Sequence, residues 1–319
     1  MRCDSFFWRR RCLFVVLLLV STIVLIVGSK YYAQPIKMLD DYEAGFSNER
    51  YHEVLQRWYN FSGASDEWYN NKSISMFDEE LLMVIRHKWI VNNATLSDSY
   101  NLKNPDILDP SMGQAREIMK ALDNKNRGFF IECGAYDGET RSNTLVLERF
   151  LGWSGILIEA DPINFSMMLD KKRKAYLSPT CLSIKPYPMK ASFLMARNIG
   201  RIHEHDESQT EKLPNTMDVA HSGKHITVQC FPLVSYVAAL GIETVDYLSL
   251  DIEGNEMEVL ETIPFDRIDI RTLSVEHIHG RVGRKQMIEF MEKRGYYVYS
   301  FVERDDNLAN DIIFVKKQS

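Results

Sequence analysis

The chain has 319 residues, of which 45% are hydrophobic and 26% are charged, and this composition allows a large core in one large or two modest globular domains. It excludes an intrinsically disordered chain. The formal net charge of −6 provides no basic excess for phosphate backbones, so no nucleic-acid partner is expected.

The N-terminus has the pattern of a membrane anchor. Residues 1–11 form a tail with four arginines, and residues 12–28 contain no charged side chain. A run of this length is at the lower limit for a helix that crosses a bilayer, and a basic flank favours a cytoplasmic N-terminus. A cleaved signal peptide is the alternative, with a modest site near Val27-Gly28-Ser29. We expect an uncleaved transmembrane signal-anchor helix at residues 12–28, with the lipid bilayer as a partner and the rest of the chain in the lumen.

Glycosylation and cysteine patterns are compatible with a luminal location. Asn-X-Ser/Thr sequons begin at Asn60, Asn71, Asn93 and Asn164. Such sequons are acceptors for glycans in secreted proteins. The three cysteines beyond the anchor allow one disulfide and one free thiol. Cys133 lies inside a turn motif and is expected to be packed, so Cys181–Cys230 is the expected pair, although the sequence alone does not decide the pairing.

Residues 29–109 are predicted to form a luminal stem and a helical collar. The segment is too rich in aromatic residues for a flexible stalk. A helical pattern over residues 78–91 places four apolar side chains on roughly one face, namely Leu81, Leu82, Ile85 and Trp89. We therefore expect part of the collar to cover the sheet of a following domain at residues 110–319.

A nucleoside-binding turn is predicted after a short apolar strand at residues 129–131. The strand is followed by Glu132-Cys133-Gly134-Ala135-Tyr136-Asp137-Gly138, whose glycines allow a sharp turn close to a ligand. Glu159 follows the second predicted strand, 27 residues beyond Glu132, near the spacing at which a carboxylate binds ribose hydroxyls. The glycine pattern alone is weak, and an ordinary strand-to-helix turn is the alternative.

The later segments alternate between helix and strand patterns. A helix from Pro162 ends in the basic run 171–174, which is expected to be solvated, and a third strand is predicted near residues 175–182. Residues 183–224 are expected to be irregular and polar. His203 and His205 there could ligate a metal, but a solvated loop or a lid is preferred, and no metal ligand is assigned.

The order of elements predicts the fold class. A strand ending in Asp251-Ile252-Glu253-Gly254 is followed by further alternation and a closing β-hairpin near residues 296–315. This order predicts an α/β fold with a doubly wound, mostly parallel, seven-stranded sheet of Rossmann-like type, preceded by one transmembrane helix. A terminal hairpin that inserts one antiparallel strand is typical of methyltransferases rather than of dehydrogenases.

Three strings resemble the FkbM-type methyltransferase family, over about residues 110–317. They are residues 132–138, residues 159–162 and the string Asp251-Ile252-Glu253-Gly254-Asn255-Glu256. The resemblance implies S-adenosylmethionine as the candidate cofactor. It places Gly134, Ala135 and Gly138 against the cofactor and Glu159 on its ribose, and it leaves Glu132 to orient either the turn or the cofactor's amino group.

Asp251 and Glu253 are the first candidates for catalysis, since they follow the strand where donor and acceptor meet in such a sheet. Either could act as a general base or bind a divalent cation that acidifies a hydroxyl. Stabilisation of a helix N-terminus is the alternative. Glu276 and His277, at the end of the next strand, are second candidates for the base, with His277 having the better-placed intrinsic pKa.

A narrower resemblance is to Star-like membrane proteins of arthropods. It is carried by the anchor and by residues 111–114, 142–145, 230–233 and 246–254. It implies a single-pass type II glycoprotein of the endoplasmic reticulum and Golgi membrane, with the endosomal or plasma membrane as alternatives. Such a protein assists transport of membrane-anchored secretory cargo, namely EGF-type ligand precursors, and so acts in EGF receptor signalling. The alternative function is an active luminal O-methyltransferase that acts on a glycan or protein hydroxyl.

Overall fold

A computed structural model describes residues 42, 44–59, 68–202, 224–305 and 309–317. The chain divides into two compact units after Asn48, and all helices and strands given below belong to the unit from Glu49 to Ser319. In the smaller unit, the rings of Tyr42 and Phe46 pack edge to face, 5.6 Å apart. The predicted anchor at residues 12–28 and the predicted histidine pair at 203 and 205 lie outside the described residues. Within the described ranges, no helix is long and apolar enough to cross a membrane.

The larger unit alternates between helices and strands. The strands are β1 Phe129–Cys133, β2 Ser154–Ile158, β3 Tyr176–Ser178, β4 Cys181–Leu182, β5 Met189–Met195, β6 Arg201–Ile202, β7 Lys224–Phe231, β8 Thr244–Leu250, β9 Asp269–Glu276, β10 Tyr296–Glu303 and β11 Asn310–Lys316. The α-helices are α1 Glu49–Val54, α2 Glu79–Val84, α3 Gln114–Ala121, α4 Leu145–Leu151, α5 Pro162–Asp170, α6 Leu233–Leu240, α7 Glu256–Thr262 and α8 Arg284–Glu292. Single π-helical segments continue α1 over Leu55–Tyr59 and α2 over Ile85–Trp89.

Seven strands form the central sheet in the order β10-β11-β9-β8-β1-β2-β3. The pairs among β3, β2, β1, β8 and β9 are parallel, and β11 is antiparallel to both β9 and β10. The apolar runs of the central strands are buried because helices cover both faces of such a sheet. The predicted doubly wound, mostly parallel sheet with one inserted antiparallel strand is confirmed. The strand order reverses between β1 and β8, and the carboxyl ends of these strands form the crevice where ligands bind in open α/β sheets.

A second sheet, in the order β4-β7-β5-β6, corrects the prediction of an irregular segment at residues 183–224. Met189–Met195 forms a strand that pairs antiparallel with β7. Its apolar residues Ala191 and Phe193 are buried, and they alternate with the polar Lys190 and Ser192. This alternation is the pattern of a half-buried strand, but the two prolines just before it at positions 186 and 188 favour a loop.

The predicted disulfide between Cys181 and Cys230 is confirmed. The two residues are register partners in the parallel pairing of β4 with β7. Cys133 in β1 is a buried free thiol, as expected. The disulfide therefore ties the short strand β4 to the second sheet.

The described part of the collar packs on the domain as predicted. Leu81, Ile85 and Trp89 are buried, and the indole of Trp89 lies 5.7 Å from the ring of Phe231 in β7. The hydroxyl of Ser235 in α6 donates to the carbonyl of Met76. The collar and the strands thus contribute to one hydrophobic core.

Two of the four basic residues at positions 171–174 are not solvated, contrary to expectation. Arg173 is fully buried and pairs with Glu148 at 3.1 Å, and Lys171 Nζ lies 2.6 Å from Glu139. The basic run turns inward because these two carboxylates are buried beneath the helix end.

Candidate functional site

The turn after β1 lies against the chain that follows β8. Gly134 has a φ of +75°, and a Cβ atom built on it would lie 1.8 Å from the carbonyl oxygen of Asp251. The amides of Gly134 and Ala135 both donate to the carbonyl of Ile158, at 3.1 and 3.2 Å. The turn is therefore closed against the end of β2, and only glycine fits at position 134. Gly138 is also tightly packed, since a Cβ there would lie 2.8 Å from Met168.

Glu132 is buried and its carboxylate is occupied by the chain that leads into α4. One oxygen accepts from the amide of Asn143 at 2.7 Å, and the other accepts from the hydroxyls of Ser142 and Thr144. Burial raises the pKa of Glu132, and the charge of Arg173 opposes that increase. The sequence left two roles open for Glu132, namely to orient the turn or to bind the amino group of the cofactor. These contacts favour the first role.

Glu159 joins the turn after β1 to the start of α5. Its two oxygens accept from the amides of Tyr136 and Asp161, each at 2.8 Å. Burial, with a smaller contribution from the charge of Asp161, raises the pKa of Glu159 to about 8. Each oxygen keeps a second lone pair, so Glu159 can accept further hydrogen bonds at the position predicted for a ribose-binding acid.

The collar reaches the same strand end. The hydroxyl of Tyr59, in the π-helical segment after α1, donates to the carbonyl of Ala160 at 2.7 Å. Burial and the nearby acids Asp161 and Glu159 raise the pKa of Tyr59. The collar thus covers the residue that directly follows Glu159.

Five acids converge at the carboxyl ends of β8 and β9. This acid cluster consists of Asp251, Glu253, Glu256, Glu276 and Asp311. The register explains it, because Leu250 pairs with Val275 and Glu276 pairs with Asp311 of β11. One buried oxygen each of Asp251, Glu276 and Asp311 meets no ordinary hydrogen-bond donor, and Asp251 and Glu276 hydrogen-bond with each other. The sequence therefore places several carboxylates in one crevice without satisfying all of them.

The charged forms of four of these acids are disfavoured, namely Asp251, Glu256, Glu276 and Asp311. Burial, and next the charge of Glu253, raise the pKa of Asp251 well above its usual range. Burial and Asp251 do the same for Glu276. Burial also raises the pKa of Glu256 to about 7 and that of Asp311 to about 6. Carboxyl groups with such values can accept and release protons near neutral pH.

The turn after β8 is tightly built. Glu253 has a φ of +61°, which is uncommon for a residue with a side chain. One oxygen of Glu256 accepts from the amides of Ile252 and Gly254, at 2.9 and 3.0 Å. A Cβ on Gly254 would lie 2.9 Å from the carbonyl oxygen of His279. Glu256 thus fixes the turn, and the turn packs on the chain after β9.

The two histidines after β9 have different surroundings. His279 Nδ1 lies 2.9 Å from Glu253 Oε2 and 3.0 Å from Glu276 Oε2. Burial opposes protonation of His279, but Glu253 outweighs it and the pKa is raised. The imidazole of His277 lies 3.8 Å from Glu303 of β10, and burial and Arg284 lower its pKa. Of the predicted catalytic residues, the structure brings Asp251 and Glu253 together and places His277 beside Glu303.

Three residues of this crevice were not selected from the sequence: Glu256, His279 and Asp311. The sequence did point to Glu256, because it is the third acid of the string from Asp251 to Glu256. His279 follows His277 by two residues, so proximity in sequence also pointed to it. Asp311 had no such signal, because its position depends on the register of the closing hairpin.

Replacing Glu159 by Gln should change how stability depends on pH. Between about pH 4.5 and 8 the folded protein holds a proton on Glu159 that the unfolded chain has lost, so this group makes stability fall as the pH rises. The variant lacks this titration. Its stability relative to the parent should increase by up to about 1.4 kcal/mol per pH unit in this window, measured by denaturant unfolding from pH 5 to 8.

Glu117→Gln is the matched control for that measurement. The pKa of Glu117 is lowered, first by its hydrogen bond to Lys120, so it titrates below the window. Its stability difference from the parent should stay flat between pH 5 and 8. A flat difference for Glu159→Gln as well would contradict the assignment of a raised pKa to Glu159.

The strand order, the inserted antiparallel strand and the acid-lined crevice define the class of protein, which has a methyltransferase-like α/β fold. The family model described as "Methyltransferase FkbM domain" matches residues 132–298, which is more than half of the chain. The chain therefore belongs to the FkbM methyltransferase family.

Comparison with solved structures shows only distant similarity. A putative RNA methyltransferase from Pyrococcus horikoshii is 11% identical with a TM-score of 0.33, and the match covers 75% of this chain and 98% of that one. The METTL16 MTase domain is 10% identical with a TM-score of 0.38, over 87% and 92% of the two chains. The structure of OxaC in complex with SAH and oxaline is 7% identical with a TM-score of 0.33, over 65% and 47%. A search of curated proteins gave no significant match.

Proposed function

We propose that this protein binds S-adenosylmethionine at the carboxyl ends of β1 and β2 and methylates an oxygen atom of an acceptor held beside β8 and β9. The observation that carries the proposal is the buried pair of carboxyl groups of Asp251 and Glu276, each with one oxygen that meets no hydrogen-bond donor except the other carboxyl group. Buried carboxylates in a purely structural role are normally hydrogen-bonded. The backbone of Asp251 lies directly against the Gly134 turn.

The residues at the ends of β1 and β2 fit the cofactor. Gly134 is exposed and carries no side chain, so a ligand can approach the backbone of the turn closely. Glu159 offers lone pairs to ribose hydroxyls. Ala135 and Gly138 are buried and support the turn from within, and Glu132 positions the chain that follows it. When bound, S-adenosylmethionine supplies an electrophilic methyl group on a sulfonium.

The acid cluster supplies the proton acceptor. An acceptor hydroxyl loses its proton when its oxygen gains the methyl group, and Oδ1 of Asp251 receives that proton. The raised pKa of Asp251 makes its carboxylate a stronger base than an ordinary aspartate.

Calorimetry of the purified full-length chain with S-adenosylmethionine tests the proposal. We expect saturable binding by the parent and by Asp251→Asn, because Asp251 is assigned to the acceptor side. Transfer of a labelled methyl group to microsomal glycoproteins should fall about 10²- to 10⁴-fold in Asp251→Asn. Absence of binding to the folded parent at millimolar cofactor would overturn the proposal.

We also propose that the larger unit lies in the lumen of the secretory pathway, on a single-pass type II anchor at residues 12–28. The basic flank of that apolar run supports this orientation. The Cys181–Cys230 disulfide supports it independently, since disulfides persist in oxidising compartments.

Glycosylation tests the luminal location. Asn71 is exposed, and its Oδ1 accepts from the amide and hydroxyl of Ser73. Asn164 is 1% exposed, and its Nδ2, the atom that would carry a glycan, donates to the carbonyl of Arg197. In cells, endoglycosidase treatment should increase the gel mobility of the parent by more than that of Asn71→Gln. Asn164→Gln should behave like the parent, and an unchanged mobility of the parent on treatment would count against a luminal location.

A second candidate function is the escort of membrane-anchored EGF-type precursors from the endoplasmic reticulum. An exposed aromatic group on the edge strand β10 favours it, consisting of Tyr297, Tyr299 and Phe301. Exposed aromatic clusters are common at protein-binding surfaces. Co-precipitation from cells should recover such precursors with the parent and fewer with Tyr297→Ser/Tyr299→Ser. A partner set without secretory cargo would argue against this role.

A further inference from the structure

We infer that Glu253, Glu276 and His279 bind one divalent cation of the class that accepts mixed oxygen and nitrogen ligands, such as Mn²⁺ or Zn²⁺. Each residue offers one ligand atom, and the three atoms lie within 4.8 Å of one another. The site is formed by the turn after β8, the last residue of β9 and the chain that follows β9.

The separations of the ligand atoms match those around a bound cation. His279 Nδ1 lies 2.9 Å from Glu253 Oε2 and 3.0 Å from Glu276 Oε2, so both carboxylates reach the same ring nitrogen. Adjacent ligands of an octahedral cation, bound at about 2.1 Å, are about 3.0 Å apart. The observed arrangement is thus suited to a shared central ion.

An independent observation points to a ligand at this position. Glu276 is 7% exposed, and its Oε2 meets no hydrogen-bond donor apart from a protonated Asp251. Asp251 and Glu256 lie on the other side of this carboxylate and form a second group of possible ligand atoms with it. Glu253 and Glu256 both act electrostatically on His279, and Glu253 also acts on Arg201. A divalent cation would satisfy Glu276 and balance this negative charge.

The backbone around the ligands is arranged to hold them. Glu253 has a left-handed φ of +61°, and backbone strain of this kind concentrates at functional sites. Glu256 accepts from two amides of the same turn, and Gly254 packs on the carbonyl of His279. The two ligand-bearing segments therefore have fixed positions relative to each other, as a preorganised metal site requires.

The role of the cation in methyl transfer rests on the proposed function. The binding of the cation to these three residues does not depend on it. A cation with three protein ligands keeps open positions for an oxygen of the acceptor. Coordination lowers the pKa of a hydroxyl, so the cation would help the acceptor release its proton to Asp251. The acceptor class would then be one with an oxygen that can coordinate a cation directly.

Titration of the chelator-treated full-length chain with Mn²⁺, without S-adenosylmethionine, tests the site. The loss of the electron paramagnetic resonance signal of free Mn²⁺ should show one bound ion per chain. Pulsed measurements should show nitrogen coupling from His279, and this coupling should disappear in His279→Gln. Glu276→Gln and Glu253→Gln should each weaken binding at least about tenfold.

Asp311→Asn is the matched control. It removes a buried carboxylate of the same cluster that is in neither group of ligand atoms, and its other oxygen is held by Gln114. It should weaken Mn²⁺ binding by less than about tenfold.

Cooperative thermal unfolding in chelator would show that the variants are folded. Absence of Mn²⁺ binding to the parent, bound Mn²⁺ without nitrogen coupling, or equal losses in Asp311→Asn and Glu276→Gln would each overturn the inference. Since no cofactor is present, failure here is distinguishable from failure to bind S-adenosylmethionine.

Discussion

Replacing Arg173 by Met is expected to destabilise the protein by about 3–5 kcal/mol, because it leaves a buried carboxylate without its counter-ion. Arg173 is fully buried, pairs with Glu148 at 3.1 Å and donates to the hydroxyls of Ser142 and Thr144. Its charge also opposes the raised pKa of Glu132. The free energy of unfolding in denaturant measures the effect. The double variant Arg173→Met/Glu148→Gln should recover part of the loss, since it removes the uncompensated charge.

Arg284→Met is the control for an exposed ion pair. Arg284 pairs with Glu303 at the shorter distance of 2.7 Å, but the two side chains are 41% and 47% exposed. Water screens such a pair, so the loss should be about 1 kcal/mol or less. Equal losses for Arg173→Met and Arg284→Met would contradict the importance assigned to burial.

Replacing Gly134 by Ala is expected to abolish detectable binding of S-adenosylmethionine and to destabilise the fold. The new Cβ would lie 1.8 Å from the carbonyl oxygen of Asp251, so the turn after β1 and the chain after β8 must separate. A φ of +75° adds a backbone cost of about 1–2 kcal/mol for a residue with a side chain. Calorimetry with the cofactor and denaturant unfolding measure the two effects.

Gly152→Ala separates the steric effect from the backbone effect. Gly152 ends α4 with a φ of +63°, and a Cβ there would have no atom within 4 Å. This variant should lose only about 1–2 kcal/mol of stability and should bind the cofactor like the parent. If both glycine variants bind equally well, the close approach of Gly134 to Asp251 is not what shapes the cofactor site.

The central sheet could be predicted because its signals are local. Phe130, Ile131 and Leu157 belong to continuous apolar runs, and each run ends in an acid. These patterns predicted the strands, their order and the positions of Glu159 and Asp251 at strand ends. The second sheet was missed because its strand β5 follows a proline-rich segment whose turn signals outweigh a short alternation.

Contacts between distant residues limited the prediction of the site. The inward direction of Arg173 depends on Glu148, and nothing local in the sequence shows that this carboxylate is buried. The surroundings of Asp311 depend on the register between β11 and β9. His277 was preferred for its intrinsic pKa, but the chain after β9 brings His279 to the acids instead. Residue types were therefore predictable, whereas their partners were not.

The hydrophobic core extends beyond the part of the chain that matches the family model. The region that matches the FkbM family begins at residue 132, inside β1, and ends at residue 298, inside β10. Trp89 of the collar and Phe314 of β11 lie outside it, and both are almost fully buried in the same core. Transplanting residues 132–298 alone into another protein would expose that core and remove the strand between β9 and β10. A transfer that preserves folding must therefore carry the collar and the closing strand together with the acid-lined crevice.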